Sequence, residues 1–289
     1  MIDKIKYYFS LVKFSHTVFA LPFAVLSFFL AVKHYEYLFE WKILIYILLC
    51  MGFARNSAMA FNRYLDRDID KSNPRTSQRE IPANKISPRA SLFFVVVNIL
   101  LFVTTTYFIN SLCFYLSPLA IFIILFYSYT KRFTSLSHIV LGLALSVAPA
   151  GAFIAVSETV SVSVLILSLM VLFWTAGFDI IYSLQDEVFD KKNKLFSIPA
   201  KYGRKKALVI SRVLHLFCGT LCLLFGIMIN GNYLYWIAFV IFSGLLIYQH
   251  SLVKPNDISK AGYAFQNVNG IISITFAVLT ILSLFIQHS

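Results

Sequence analysis

Charge is scarce in this chain. Of 289 residues only 13% are Asp, Glu, Lys or Arg, against about a quarter in an ordinary soluble domain. Acids are rarer still, 13 against 25 Lys plus Arg. Four cysteines, Cys50, Cys113, Cys218 and Cys222, are scattered through apolar segments. That spacing excludes a disulfide framework and a thiolate metal site. Cys218 and Cys222 share a helix face, which reads as packing. The opening MIDKIKYYFSLVKFSH carries no signal-peptide cleavage pattern, so the first apolar run is expected to stay as a span.

What the chain has instead is hydrophobicity, 59% of its residues. Apolar runs of about 17 to 25 residues, enough to cross a bilayer, recur along its length. They predict an all-α polytopic membrane protein: one domain, 1–289, of about nine transmembrane helices. The spans are expected near 15–33, 43–62, 90–109, 111–128, 136–156, 161–184, 207–228, 232–250 and 263–286. Two long polar loops, 63–89 and 186–206, and a shorter one, 251–262, separate some of them.

Basic residues fall in alternate connections. Loops 63–89 and 186–206 hold seven each, Lys131 and Arg132 follow span four, and the opposite side has only Lys33 and Lys42. Cytoplasmic loops carry this excess, which places the N-terminus inside and the C-terminus outside. A bacterial inner membrane is the expected location. The net charge of +12 is thereby explained by topology and anionic lipid, without nucleic acid. Nothing in the sequence implies a protein partner.

The acids are clustered. Eight of the 13 lie in two places, Asp66, Asp68, Asp70 and Glu80, then Asp179, Asp186, Glu187 and Asp190. Each cluster ends an apolar span on the basic side. NRYLDRDID sets Asn62, Asp66 and Asp70 four residues apart, nearly one helix face. The second cluster echoes it, with Asp186 and Asp190 four apart and Asp179 within the span itself. Like charges so spaced repel unless a cation lies between them, and a hard divalent ion such as Mg²⁺ suits carboxylate oxygens. An ionisable residue inside a span is a functional candidate by default. Solvated loop aspartates paired with Arg63, Arg67 and lysines are the plainer alternative, but they leave the duplicated pattern unexplained. Facing acidic stripes, divalent metal and an apolar surround suit a ligand with a polyanionic head and a long apolar tail. A polyprenyl diphosphate is the simplest.

At these residues the chain resembles the UbiA family of intramembrane aromatic prenyltransferases. NRYLDRDID with NPRTSQREIP is similar to its first aspartate-rich motif, and DIIYSLQDEVFD to its second. The resemblance covers nearly the whole chain and looks strongest to the 4-hydroxybenzoate polyprenyltransferase branch, where VKFSHTVFALPFA is also familiar. It implies Mg²⁺ and diphosphate on Asn62, Asp66, Asp70, Asp186 and Asp190. It implies that Asp179 and Tyr182 face the reaction centre, that Arg55 reaches the diphosphate or the aromatic acid, and that Lys131, in Tyr127-x-x-x-Lys131, holds the diphosphate. Arg75 and Lys191 would add positive charge. Where many members read Arg-Pro, this chain reads Arg79-Glu80, so a dihydroxynaphthoate acceptor stays open beside 4-hydroxybenzoate. The implied reaction, in quinone biosynthesis, is electrophilic substitution on the phenol ring, with phenylalanines of spans two to six shielding the allylic cation.

Further expectations are smaller. His16 either bonds an acceptor carboxylate or is satisfied within its helix. His138 and His215 read as structural, and Glu158 lies away from the site. Pro22, Pro118 and Pro149 are expected to kink spans, and Gly142 and Gly151 to let helices approach. A transporter is the rival of another class, since an intramembrane Asp also marks ion pathways. It predicts acids near the midplane of several spans, whereas these cluster at one face.

Overall fold

The computed structural model describes residues 2–12 and 19–286. His16 lies outside them. The described chain is helical: α1 (Ile2–Leu11), α2 (Leu21–Phe29), α3 (Trp41–Leu65), α4 (Arg67–Ser72), α5 (Pro88–Ile109), α6 (Ser111–Thr130) and α7 (Ser137–Ser157). Then follow α8 (Val162–Ser183), α9 (Glu187–Lys192), α10 (Ile198–Met228), α11 (Tyr233–Leu252), α12 (Ala261–Tyr263) and α13 (Asn269–Ile286). Among these residues eight helical segments are long and apolar enough to cross a membrane. The remaining expected span is shorter: α2 with the π-helical turn Leu30–His34 gives an apolar helix over 21–34. The protein is an integral membrane protein.

Polar side chains close the helix ends. Ser87, Asn110, Ser161, Ser197 and Asn232 each accept a hydrogen bond from a first-turn amide, at α5, α6, α8, α10 and α11. Amides at a helix start have no partner within the helix, and in lipid none from water. Pro22 stands in the first turn of α2, so it starts a helix instead of kinking one. Pro118 is interior to α6 and deprives the Phe114 carbonyl of its usual donor. The Ser117 hydroxyl donates to that carbonyl at 2.8 Å.

The packing is uneven. α8 is the central helix, and its Trp174 and Phe178 join Phe23, Phe225, Tyr235 and Phe276 in the main core with α2, α10, α11 and α13. A Cβ on Gly142 of α7 would lie 2.4 Å from the Leu172 carbonyl oxygen, so here glycine does permit close approach. Gly142→Ala should therefore destabilise by about 1–3 kcal/mol, the usual cost of overpacking. Thermal unfolding in detergent measures it, and an unchanged midpoint would show that α7 moves aside freely. Gly151 behaves differently. Its Cβ direction is open and it lines a cavity.

That cavity, of about 580 Å³, lies among α3, α5, α6, α7 and α8. Its lining on α7 runs from Ser137 to Ala155, about 27 Å at 1.5 Å per residue. Most of the wall is apolar, and on α7 it is built of small residues such as Ala144, Ala148, Gly151 and Ala155.

Candidate active site

Apart from Arg55, the charge of the cavity gathers at one end, where α3, α6 and α8 finish and α7 begins. The first cluster does not stay on one unbroken helix. α3 ends at Leu65, Asp66 leaves helical geometry at ψ 4°, and α4 restarts at Arg67. The Asp70 amide still donates to the Asp66 carbonyl at 2.7 Å, so Asn62, Asp66 and Asp70 all line the cavity. The second cluster has the same build. α8 passes through a 3-10 turn, Leu184–Asp186, into α9, and Asp179, Asp186 and Asp190 line the same cavity. Each motif is a long helix, a break at an aspartate and a six-residue helix.

Cations hold most of these carboxylates. Asp66, its side chain 2% exposed, pairs with Lys131 and at 3.0 Å with Arg132. Arg132 also donates to the Leu65 carbonyl at 3.0 Å and the Ser128 carbonyl at 2.9 Å, tying the ends of α3 and α6 together. Arg79 meets Asp70 at 2.7 Å. Arg75 crosses between the clusters: it pairs with Asp186 at 2.5 Å, donates to the Tyr182 hydroxyl at 2.9 Å and lies over that ring. An Asn-Pro turn places it there. Asn73 accepts from the Arg75 amide at 3.0 Å and donates to Asp186 at 3.2 Å. The segment after α4 thus lines the charged end of the cavity.

Asp179 has a different partner. The Ile198 amide donates to His138 Nε2 at 3.3 Å, which leaves the ring proton on Nδ1, 2.6 Å from Asp179 Oδ2. His138 is thereby drawn into the site, against its expected structural place. Nothing in sequence joins it to Asp179, 41 residues on. Arg79, Arg132 and Asn73 were equally unmarked, although each lies close to a marked residue.

Of the other expected residues, Arg55, Tyr127 and Tyr182 line the cavity, and Arg55 donates to the Val12 carbonyl at 3.2 Å. Lys191 does not line it. Its ammonium turns along α9 to Glu187 at 2.7 Å, and Arg204 holds the same carboxylate. Glu80 accepts from Ser10 at 2.5 Å. The aromatic wall differs from expectation: Tyr182 stacks on Phe265 at 4.1 Å, and Phe265 meets Phe19 and Phe178. Of the three phenylalanines only Phe178 comes from spans two to six. His215 bonds His250 at 2.9 Å and the Trp174 carbonyl, clear of the cavity.

Among the described residues no three His, Cys, Asp or Glu side chains are gathered closely enough to hold an ion unaided, because the carboxylates are turned to Arg and Lys. The donors nevertheless fit a hard divalent ion. They are carboxylate and amide oxygens on two sides of one cavity, and Asp70 Oδ2 is buried without a hydrogen-bond partner. Mg²⁺ commonly takes one or two carboxylates and completes its shell with water and phosphate oxygens.

The fold and cavity define an integral membrane protein with a chamber shaped for an amphiphile, charged at one end and apolar along the rest. The chain belongs to the UbiA prenyltransferase family, whose sequence profile matches residues 20–285, and is a prenyltransferase of that family. It is similar to proteins named 4-hydroxybenzoate octaprenyltransferase. One from Tolumonas auensis is 31% identical over 77% of this chain and 78% of the relative. One from Vibrio cholerae is 32% identical over 82% and 84%. Among solved structures, the apo UbiA homologue of Aeropyrum pernix K1 superposes with TM-score 0.79 at 26% identity, covering 95% of this chain and 98% of that one. A homologue from Archaeoglobus fulgidus bound to GPP and Mg²⁺ gives 0.78 at 20% identity, over 96% and 99%.

Proposed function

We propose that this protein transfers a polyprenyl group from its diphosphate to an aromatic acid, 4-hydroxybenzoate in the first instance, in quinone biosynthesis. The observation that carries the reading is the joining of both aspartate clusters at the charged end of one long apolar cavity. The names of the relatives support the acceptor. The basic loops support a site facing the cytoplasm of a bacterial inner membrane, N-terminus inside and C-terminus outside. Residues 1–289 act as one unit, with 63–89 and 186–206 over the site. The Arg75–Asp186 pair links these segments, and the Phe196 amide on the Lys131 carbonyl, 2.8 Å, ties the second of them to the end of α6.

Charge balance argues for a metal. The cavity is lined by five aspartates (66, 70, 179, 186, 190) and five cations (Arg55, Arg63, Arg75, Arg79, Lys131). A diphosphate brings several further negative charges into a partly buried place, where charge must be compensated. Asn62, Asp66, Asp70, Asp186 and Asp190 would hold Mg²⁺, which when bound supplies Lewis-acid stabilisation of the leaving group. Lys131 and Arg75 bind the diphosphate oxygens, exchanging a carboxylate partner for a phosphate one. Arg55 and Tyr127 line the chamber nearby and contact the substrates. The allylic carbon–oxygen bond breaks, and the cation left on the prenyl carbon is faced by Tyr182, Phe178 and Phe265. The apolar wall keeps water from that cation. The ring attacks ortho to its hydroxyl. Asp179, oriented by His138, takes a proton from the substrate.

The test is product formation in proteoliposomes with Mg²⁺, a polyprenyl diphosphate and a panel of aromatic acids, dihydroxynaphthoates included because of Glu80. Chelation should abolish turnover and Mg²⁺ restore it. Full turnover under chelation would refute the metal assignment, and no product from any acid would refute the reaction. His138→Ala should lower kcat roughly 100-fold, the low end of what a positioned general base contributes, with KM for the diphosphate little changed. A wild-type kcat would show that Asp179 orients itself.

A further inference from the structure

The last span is not a regular helix. It enters through α12, widens into a π-helical turn at Ala264–Val268, and only then continues as α13. A π turn holds about one residue more than an α turn and leaves a carbonyl without its usual donor. Two side-chain amides answer it. Gln249 of α11 donates to the Ala264 carbonyl at 2.9 Å. Asn269, at the start of α13, donates to the Ala264 carbonyl at 3.3 Å and to the Phe265 carbonyl at 2.9 Å. Both side chains are 0% exposed. With their nitrogens so committed, Gln249 Oε1 and Asn269 Oδ1 are buried without a hydrogen-bond partner. Two unsatisfied oxygens cost free energy. A regular helix lined with apolar side chains would avoid that cost, so stability alone does not account for the turn.

What the turn does is geometric. Of the described residues in the last span, Phe265 alone lines the cavity. Its ring stacks on Tyr182 at 4.1 Å and meets Phe19 and Phe178. The Tyr182 hydroxyl accepts from Arg75, which pairs with Asp186. Relaxing the turn to α geometry would rotate the residues before α13 by up to about 100°, one residue of helix, and carry the ring off Tyr182. We infer that Gln249 and Asn269 are positioning residues for prenyl transfer: by holding the π turn they set Phe265 against Tyr182 and keep the aromatic wall closed. This rests on the proposed reaction and adds to it a device that decides which nucleophile the cation meets. Neither amide lines the cavity, so both act through Phe265. The diphosphate leaves with the electrons of the carbon–oxygen bond, and the cation is taken by the acceptor ring or by water. Addition of water with loss of a proton gives the prenol, and a loosened wall admits it.

The test compares wild type with Gln249→Met, Asn269→Leu, Phe265→Ala and the Gln249→Met, Phe265→Ala double variant. The assay uses proteoliposomes with geranyl diphosphate, Mg²⁺ and 4-hydroxybenzoate. Met removes the donor and the unsatisfied oxygen together, so the thermal unfolding midpoint should stay near that of wild type. Gln249→Asn, too short to reach Ala264, takes its place if Met does not fold. In the amide variants kcat for prenylated acid should fall about tenfold, since a small misplacement at a reaction centre is costly, with KM for geranyl diphosphate little changed. The share of donor converted to prenol should rise severalfold, which lost stability alone would not produce. On the Phe265→Ala background Gln249→Met should add little, the non-additivity of residues that act through one another. Hydrogen exchange over residues 261–269, read without substrate, should quicken in both amide variants. A wild-type product partition in both overturns the inference. So does unchanged exchange, or a loss that adds in full on the Phe265→Ala background. If wild type prenylates no acid, the reaction is refuted and the positioning role falls with it, whereas variants that match an active wild type refute the positioning role alone.

Discussion

Asp186→Ala should reduce prenyl transfer by about 10³-fold or more while the protein still inserts and folds. The carboxylate stands where the two clusters meet, held by Arg75 and Asn73, and on the proposed reading its loss would remove an oxygen ligand from the diphosphate site. Removing one preorganised electrostatic contact commonly costs about 10²–10³ in rate, and here Arg75 would also lose its anchor. Asp66→Ala should be as inactive but also less stable. Its buried carboxylate answers both Lys131 and Arg132, and breaking a buried pair costs up to about 3–5 kcal/mol. The expected loss is smaller than that, since both cations keep some access to solvent. Asp66→Asn, which fills the same space, separates the two effects. The measurement is product formation in proteoliposomes beside a thermal unfolding midpoint. More than a tenth of wild-type turnover in Asp186→Ala would remove this aspartate from the site.

The second large effect should come from a residue without charge. Gly151→Phe places a ring in the open part of the cavity, since no atom lies within 4 Å of a Cβ there. Gly151 is thirteen residues along α7 from His138, about 20 Å from the charged end. A short donor such as geranyl diphosphate should react nearly as before, whereas a long one must give up buried tail. Losing burial of three or four methylenes at about 0.8 kcal/mol each is on the order of a hundredfold in kcat/KM. Competition between short and long donors reads the change directly. Equal loss for both would mean that the tail leaves the chamber before it reaches Gly151.

The two glycines show what patterning conveys and what it does not. Both sit in one apolar span, and both read as sites of close helix approach. Gly142 is one, against Leu172; Gly151 opens a chamber instead. Which face of α7 meets α8 and which meets empty space depends on neighbours distant in the chain. The same holds for the acids. Four-residue spacing at two span ends was legible because a helix converts spacing into direction. The breaks at Asp66 and Leu184–Asp186 were not, since six further residues of favourable helix follow each. Lys191 is the local counterpart: Glu187, four residues earlier, was close enough to take its ammonium away from the cavity.

By itself, then, the chain's pattern of apolar runs, one-sided basic loops and paired acids determined a membrane-spanning helical protein with a polar site at one end. These are consequences of bilayer thickness and helix periodicity, which act on each segment separately. Only the tertiary structure decided which cation answers which aspartate, and that His138 bonds Asp179. Those pairings join helices tens of residues apart, and they exist only once packing has brought the ends of α3, α6 and α8 and the start of α7 to one place.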